Sequence, residues 1–319
     1  MRYGLLATML TLNRKTFDRP DTAPPRRIGF LKLKYYLLER WRGIRIVRSI
    51  TRVLGPQYRR SRGRIEIDIT YSCNLHCVNC NRSVSQAPED LHIPIMTVRS
   101  FVDESIGSGK RWERIRVLGG EPTLHPRFPE VMDELLRYLR WNADCAVEVV
   151  TNGHGPAVRS RLSALPASVR IENSHKGPAV HTFFRPFSSA PADDAEYDNA
   201  DFANGCEIMH KCGMGLTPLG YYPCALAGGI DRITGYGLGR RRVPDDGDDM
   251  VAEVRRFCRL CGRFKDGHLI PDDLRPPLEG AVISPTWERL YRQWREKRSH
   301  LPVSGAGGPE TPVKGGTST

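Results

Sequence analysis

The chain has 319 residues, 39% of them hydrophobic and 26% charged, which suits one large α/β domain or two smaller ones around a buried core. That composition excludes a disordered, collagen-like or disulfide-knotted protein. Lys and Arg number 48 against 36 Asp and Glu, a formal balance of +12, yet residues 1–64 alone hold 17 basic and 3 acidic side chains. The rest is near neutral, so no nucleic-acid partner is expected.

No apolar run approaches the roughly 18 residues of a membrane span, and the first 49 residues lack the apolar core and small-residue site of a secretory signal. A cytoplasmic protein is expected. Nine cysteines are too sparse for a disulfide scaffold; eight fall into three tight groups and Cys145 stands apart. Grouped thiols in a reducing compartment read as metal ligands.

From Ile28 to Leu54, apolar residues (Leu31, Leu38, Trp41, Ile44, Val47, Ile50) recur at spacings of three and four, with Arg40, Arg42, Arg45, Arg48 and Arg52 between them. The spacing predicts a basic amphipathic helix broken at Gly43. Such a helix either packs on the body with its arginines solvated or lies against an anionic membrane or an acidic partner, giving a peripheral membrane association. At Arg64–Thr70 strict alternation, with Ile65, Ile67 and Ile69 on one face, predicts a strand.

Helical and extended patterns then alternate. A helix is predicted over Thr97–Ser108, a strand over Ile115–Leu118, a helix over Phe128–Trp141 and a strand over Ala146–Val150. A helix over Pro156–Leu165 and a strand over Ser168–Glu172 follow. This is a parallel sheet of βα units with its functional loops at the strand carboxyl ends. The polar stretch from Arg185 to Gly205 reads as a boundary or an active-site loop. A compact cysteine-bearing region follows, and the Gly/Pro/Thr tail from Pro302 reads as disordered.

Cys73, Cys77 and Cys80 form a CxxxCxxC array on the loop after the first strand, with no fourth cysteine nearby. Structural zinc wants four closed ligands, and His76 would supply one. An iron–sulfur cube held by three thiolates instead keeps one iron open for a small molecule. One βα unit later, Gly119-Gly120-Glu121-Pro122 ends the second strand, where two glycines allow close backbone approach and Glu121 adds a carboxylate. Alone this motif is a tight turn.

Paired with CxxxCxxC, it resembles the radical S-adenosylmethionine superfamily over residues 64–205. The resemblance implies a partial (β/α)6 TIM-like barrel with a [4Fe-4S] cluster bound by Cys73, Cys77 and Cys80. Its open iron would chelate S-adenosylmethionine, and Gly119, Gly120, Glu121 and Pro122 would contact the methionine part. Reductive cleavage would then give a 5′-deoxyadenosyl radical that abstracts a substrate hydrogen. The family commonly has an aromatic residue just before the third cysteine; here it is Asn79. Asn152, in Thr-Asn-Gly at the end of the third strand, is similar to the family's ribose-side segment and reads equally as a strand-ending turn.

Cys206, Cys212 and Cys224 precede Cys258-Arg-Leu-Cys261, with a hairpin over Leu216–Cys224. Spacing alone suits zinc or iron–sulfur. The region is similar to the twitch or SPASM-type auxiliary domain, which implies a second [4Fe-4S] cluster on four of these five cysteines. Cys206-x17-Cys224 matches that layout better and leaves Cys212 spare, with Cys212-x11-Cys224 and a spare Cys206 as the alternative; the spare thiol is either inert and packed or a hydrogen-atom donor to a substrate radical. The organisation expected is a basic helical extension over 1–63, a barrel over 64–205, an auxiliary region over 206–300 and a tail over 301–319.

The resemblance implies hydrogen abstraction from a small molecule, such as an amino sugar, cyclitol or nucleoside, in biosynthesis. Epimerisation, dehydrogenation or carbon–carbon bond formation would follow, with a flavodoxin- or ferredoxin-like electron donor. A maturase of ribosomal peptides is the second enzyme reading. A zinc-stabilised membrane- or nucleic-acid-binding protein is the alternative from another class.

Overall fold

The computed structural model describes residues 28–174, 187–265 and 280–299; the tail expected from residue 301 lies outside them. The basic segment forms two helices, α1 (Ile28–Arg45) and α2 (Arg48–Leu54), which part at Ile46–Val47 and not at Gly43. The chain leaves helical geometry there because Val47 is extended and bridges Ala200, while the Arg48 amide donates to the Asn199 carbonyl at 2.9 Å. Its amphipathicity is also reversed. Arg42 and Arg45 are buried, whereas Leu33, Leu37, Trp41 and Ile44 are each more than half exposed.

The sheet begins with β1 (Arg64–Thr70), followed by α3 (Ile95–Gly107), β2 (Arg114–Gly119), α4 (Phe128–Trp141), β3 (Ala146–Thr151), α5 (Pro156–Ser163) and β4 (Val169–Asn173). These match the predicted units within three residues at their ends. After α6 (Glu207–Lys211), the hairpin β5 (Met214–Thr217) and β6 (Gly220–Tyr222) joins the same sheet. The strand order is β4-β3-β2-β1-β5-β6, parallel throughout except for β6. The fold is therefore the expected mixed α/β architecture with six strands, the sixth being the antiparallel arm of the cysteine-region hairpin.

Ile65, Ile67 and Ile69 pack, as their alternation requires, into a core with Phe101, Trp112, Val131, Leu135 and Tyr138 under α3 and α4. A second core lies beyond the sheet. It is built from α7 (Ala225–Thr234), α8 (Val251–Cys258) and α9 (Pro285–Ser299), with Phe187, Phe257, Phe264, Trp287 and Tyr291 around Cys224, Cys258 and Cys261. The described part of the 185–205 stretch folds as three short 3-10 turns on this core, with Asp193 receiving Thr286 and Asp201 capping one turn. Among the described residues no helix is long and apolar enough to cross a membrane.

Candidate active site

Parallel strands place functional loops at their carboxyl ends, and β1 delivers the CxxxCxxC loop there. Cys73, Cys77 and Cys80 are half-buried and in no disulfide. Burial pushes the Cys73 thiol up to about 11, with Cys80, Glu121 and Cys77 adding to the rise, so the three sulfurs lie within electrostatic reach of one another. His76, the zinc alternative's fourth ligand, is exposed.

The Gly-Gly-Glu-Pro segment extends the β1–β2 pairing into this loop: the Gly120 amide donates to the Thr70 carbonyl at 2.8 Å and the Glu121 amide to the Ser72 carbonyl at 2.9 Å. Neither glycine admits a side chain. A Cβ on Gly119, whose φ is +137°, would lie 2.2 Å from the Thr70 carbonyl oxygen, and one on Gly120 would lie 2.2 Å from that of Ser72. The glycines thus set the approach of the cysteine loop to β2.

Glu121 is fully buried, and its carboxylate accepts from the Thr123 hydroxyl at 2.7 Å, the Thr151 hydroxyl at 2.9 Å and the Asn152 amide at 2.8 Å. Pro122, also buried, opens the 3-10 turn over Pro122–Leu124. The Asn152 side chain donates to Asn74 Oδ1 at 2.8 Å and stands 3.8 Å from Cys73 Sγ. One carboxylate therefore ties the ends of β2 and β3 together, and Asn152 ties both to the cysteine loop.

No protein-family model matches the chain. In sequence it is 32% identical over 81 residues to a GTP 3′,8-cyclase of Chlorobaculum tepidum, a stretch that is 25% of this chain and 23% of the cyclase. The match thus spans about a quarter of that relative's length. With this match, the three-cysteine loop and the glycine segment pinned together at the sheet edge resemble the radical S-adenosylmethionine superfamily. Among solved structures it is similar to BtrN in complex with AdoMet and 2-DOIA, with a TM-score of 0.40 and 15% identity over 66% of this chain and 92% of that one. It is also similar to Streptococcus suis SuiB bound to precursor peptide SuiA, with a TM-score of 0.27 and 15% identity over 53% of this chain and 34% of that one.

Further groups hold the cysteine loop, and the sequence reading missed them. Asn79 donates to the Gly280 carbonyl at 2.8 Å and accepts from the Val282 amide at 3.1 Å. Ser83, at a left-handed φ of 50°, bonds the Tyr291 hydroxyl. Arg232 on α7 donates to the carbonyls of Ala87, Arg82 and Ser83. Arg82, two residues past Cys80, forks onto Asp68 and Glu66 at 3.2 Å.

Glu66 and Asp68 occupy the face of β1 opposite its isoleucines, in a charged ladder that runs in register through Arg116, Glu148 and Arg170. Arg116 bonds Glu66 and Glu172, each at 2.7 Å. Burial would raise Glu66, but Arg116 and Arg82 hold it below the usual carboxylate range. Burial pushes Asp68 up to about 6 against the pull of Arg82. The sequence signal was available: a strand parallel to both neighbours is buried on both faces, so its carboxylates needed partners.

The five later cysteines separate. Cys206, Cys224, Cys258 and Cys261 are buried thiols that raise one another's pKa on top of a larger rise from burial itself, with Cys261 pushed up to about 12. Cys212 is elsewhere. It precedes β5 at the amino end of the sheet, where burial pushes it up to about 12 and its charged neighbours are Glu66, Arg116, Arg114 and Arg82. Met214 pairs with Ile65, whereas the CxxxCxxC loop follows Thr70, so the length of β1 separates Cys212 from that loop. Position thus argues against Cys212 as a donor to a radical formed beside Cys73, and Cys206 sits within the four-thiol set. Cys145, pushed up to about 12 by burial, is a core thiol.

Among the described residues no three His, Cys, Asp or Glu side chains already stand at metal-ligand spacing. The donor chemistry nonetheless fits two clusters: three half-buried thiols beside a side-chain-free backbone, and four buried thiols.

Proposed function

We propose that the protein cleaves S-adenosylmethionine reductively and abstracts hydrogen from a small polar molecule, an amino sugar, cyclitol or nucleoside, as a biosynthetic enzyme. The observation that carries this reading is the joining of the Cys73–Cys80 loop to Gly120, Glu121 and Asn152 at the carboxyl edge of the sheet. Cys73, Cys77 and Cys80 would hold a [4Fe-4S] cluster, which would supply one-electron reduction of S-adenosylmethionine with electrons from a flavodoxin- or ferredoxin-like donor.

The chain's own task is positioning. Gly119 and Gly120 fix the loop's distance from β2, and Asn152 presents its amide beside Cys73. The ion ladder of Glu66, Asp68, Arg82 and Arg116 ties the cysteine loop to the face of β1 opposite its isoleucines. A second [4Fe-4S] cluster on Cys206, Cys224, Cys258 and Cys261 belongs to this proposal, supported by their common burial and mutual electrostatic effect.

Anaerobic incubation with dithionite and S-adenosylmethionine is expected to release 5′-deoxyadenosine, and a fully reconstituted protein that releases none overturns the reading. Metal analysis accompanies it: about eight iron with equal sulfide supports two cubes, whereas zinc without sulfide supports the scaffold alternative. Turnover of a precursor peptide, and not of small polyols, would move the assignment to peptide maturation.

The outward stripe of Leu33, Leu37, Trp41 and Ile44, flanked by exposed Lys34, Arg40, Arg48 and Arg52, supports peripheral contact with anionic lipid. Vesicles containing phosphatidylserine should bind the protein in low salt and shift Trp41 emission to the blue. Equal binding by Trp41→Glu would remove that contact.

A further inference from the structure

Helix α1 turns Arg42 inward. The residue is 7% exposed, its guanidinium carbon lies 5.5 Å from the centre of the Phe264 ring, and its Nε and Nη2 have no hydrogen-bond partner among the described residues. A buried guanidinium cannot shed its proton, and leaving its N–H groups unpaired is costly. Such a cation persists where something anionic belongs beside it.

The groups around it say what that is. Arg42 packs on the ring of Phe264, whose backbone amide donates to the Cys261 carbonyl at 2.9 Å and which shares one core with Cys224, Cys258 and Cys261. The Tyr197 hydroxyl takes one hydrogen bond from the Arg42 guanidinium, and the nearby carboxylate Glu207 pairs with Lys211. The four thiols are therefore the anionic groups toward which the free guanidinium N–H groups are available, once their protons have left.

We propose that Arg42 is a positioning residue of the four-thiol centre, donating through Nε and Nη2 to its sulfurs and offsetting its negative charge, so that helix α1 forms part of the auxiliary site. This rests on the reading that Cys206, Cys224, Cys258 and Cys261 hold an iron–sulfur cluster. It explains the reversed helix: α1 buries a cation because the site beneath it is anionic when loaded. It also fixes a sign. One-electron reduction adds negative charge beside a permanent cation, so Arg42 raises the reduction potential of this centre, as hydrogen bonds to cluster sulfurs do.

The test uses the full chain, reconstituted anaerobically, with the front site emptied by Cys77→Ala so that a single spectroscopic signal remains. Iron and sulfide are measured first, and the midpoint potential is then followed by electron paramagnetic resonance in otherwise unaltered protein, Arg42→Leu and Arg42→Lys. Arg42→Leu is expected to lower the potential so that the reduced-to-oxidised ratio at the original midpoint falls about tenfold, a shift of about 59 mV for one electron. Arg42→Lys should recover most of it.

If Arg42→Leu instead loses iron while Arg42→Lys keeps it, the requirement for charge stands. An unchanged potential at full iron content overturns the proposal, and so does equal failure of both variants, which would make Arg42 a packing partner of Phe264. Absence of iron from this site before any change at Arg42 is a separate result, and it removes the underlying cluster reading as well.

Discussion

The two thiol sets of this protein are built on opposite principles. Cys73, Cys77 and Cys80 sit half-buried on one loop at the sheet edge, three in number, beside a glycine-lined backbone. Cys206, Cys224 and the Cys258–Cys261 pair come from three stretches of chain, all four are buried, and three of them lie in an aromatic core. The first set is held by its edges, through Asn79, Ser83, Arg82 and Asn152 around it; the second is held by packing.

Removing one thiol from each set tests that difference most severely. Cys77→Ala should abolish 5′-deoxyadenosine release while keeping about four iron atoms per chain, and Cys258→Ala should also keep about four, now in the front site. Cys212→Ala should retain about eight. Iron loss on Cys212→Ala equal to that on Cys258→Ala would mean that the four-thiol set has been drawn with the wrong member.

The next largest effect is expected at Arg82, which joins the cysteine loop to the inner face of β1. Arg82→Met leaves Asp68 without its cation and Glu66 with Arg116 alone, and a broken buried pair costs about 3–5 kcal/mol. Urea unfolding would read it. A loss under about 1 kcal/mol would show that the ladder is not what anchors the loop.

Much of this architecture was legible in the sequence because its signals are local. Alternation at Ile65, Ile67 and Ile69 defined β1, and the period of residues 128–141 gave α4 end for end. CxxxCxxC and Gly-Gly-Glu-Pro both lie on the strand-end loops predicted for them. What escaped depends on contacts between distant residues. Asn79 meets Gly280, Ser83 meets Tyr291 and Arg232 meets the 82–87 backbone, none of which any spacing encodes. The inward turn of Arg42 contradicts helix periodicity outright, since an apolar stripe is ordinarily the buried one. Spacing favoured Cys206 over Cys212 as the partner of Cys224 and left the reverse open, because both precede the same hairpin.

The pH dependence of stability sharpens the contrast between ladder and loop. Asp68 is pushed from 3.8 to about 6 by burial, so in this window the folded protein binds a proton that the unfolded chain has released. Stability from this group is complete below about pH 4 and is lost as pH rises through about 6, a change of about 3 kcal/mol. Asp68→Asn removes that slope. Its stability relative to the unaltered protein should therefore climb between pH 4 and pH 6.5, and a flat difference would mean that Arg82 keeps Asp68 ionised throughout.

The smallest effect is expected at Gly120, and it separates loop position from loop composition. A methyl group there meets the Ser72 carbonyl oxygen at 2.2 Å and approaches Cys73 Cβ to 3.1 Å, a backbone obstacle that no rotamer change relieves. Overpacking of this kind costs about 1–3 kcal/mol, and the chain relieves it by moving Ser72–Cys73 away from β2. Gly120→Ala should thus keep all three thiols and most of the fold, yet bind S-adenosylmethionine more weakly and lose front-site iron faster to a chelator. The four-thiol centre should exchange at its original rate, because nothing in its shell touches Gly120. Equal acceleration at both sites would show a general loosening of the fold, and would deny the glycine segment its part in setting the distance between loop and sheet.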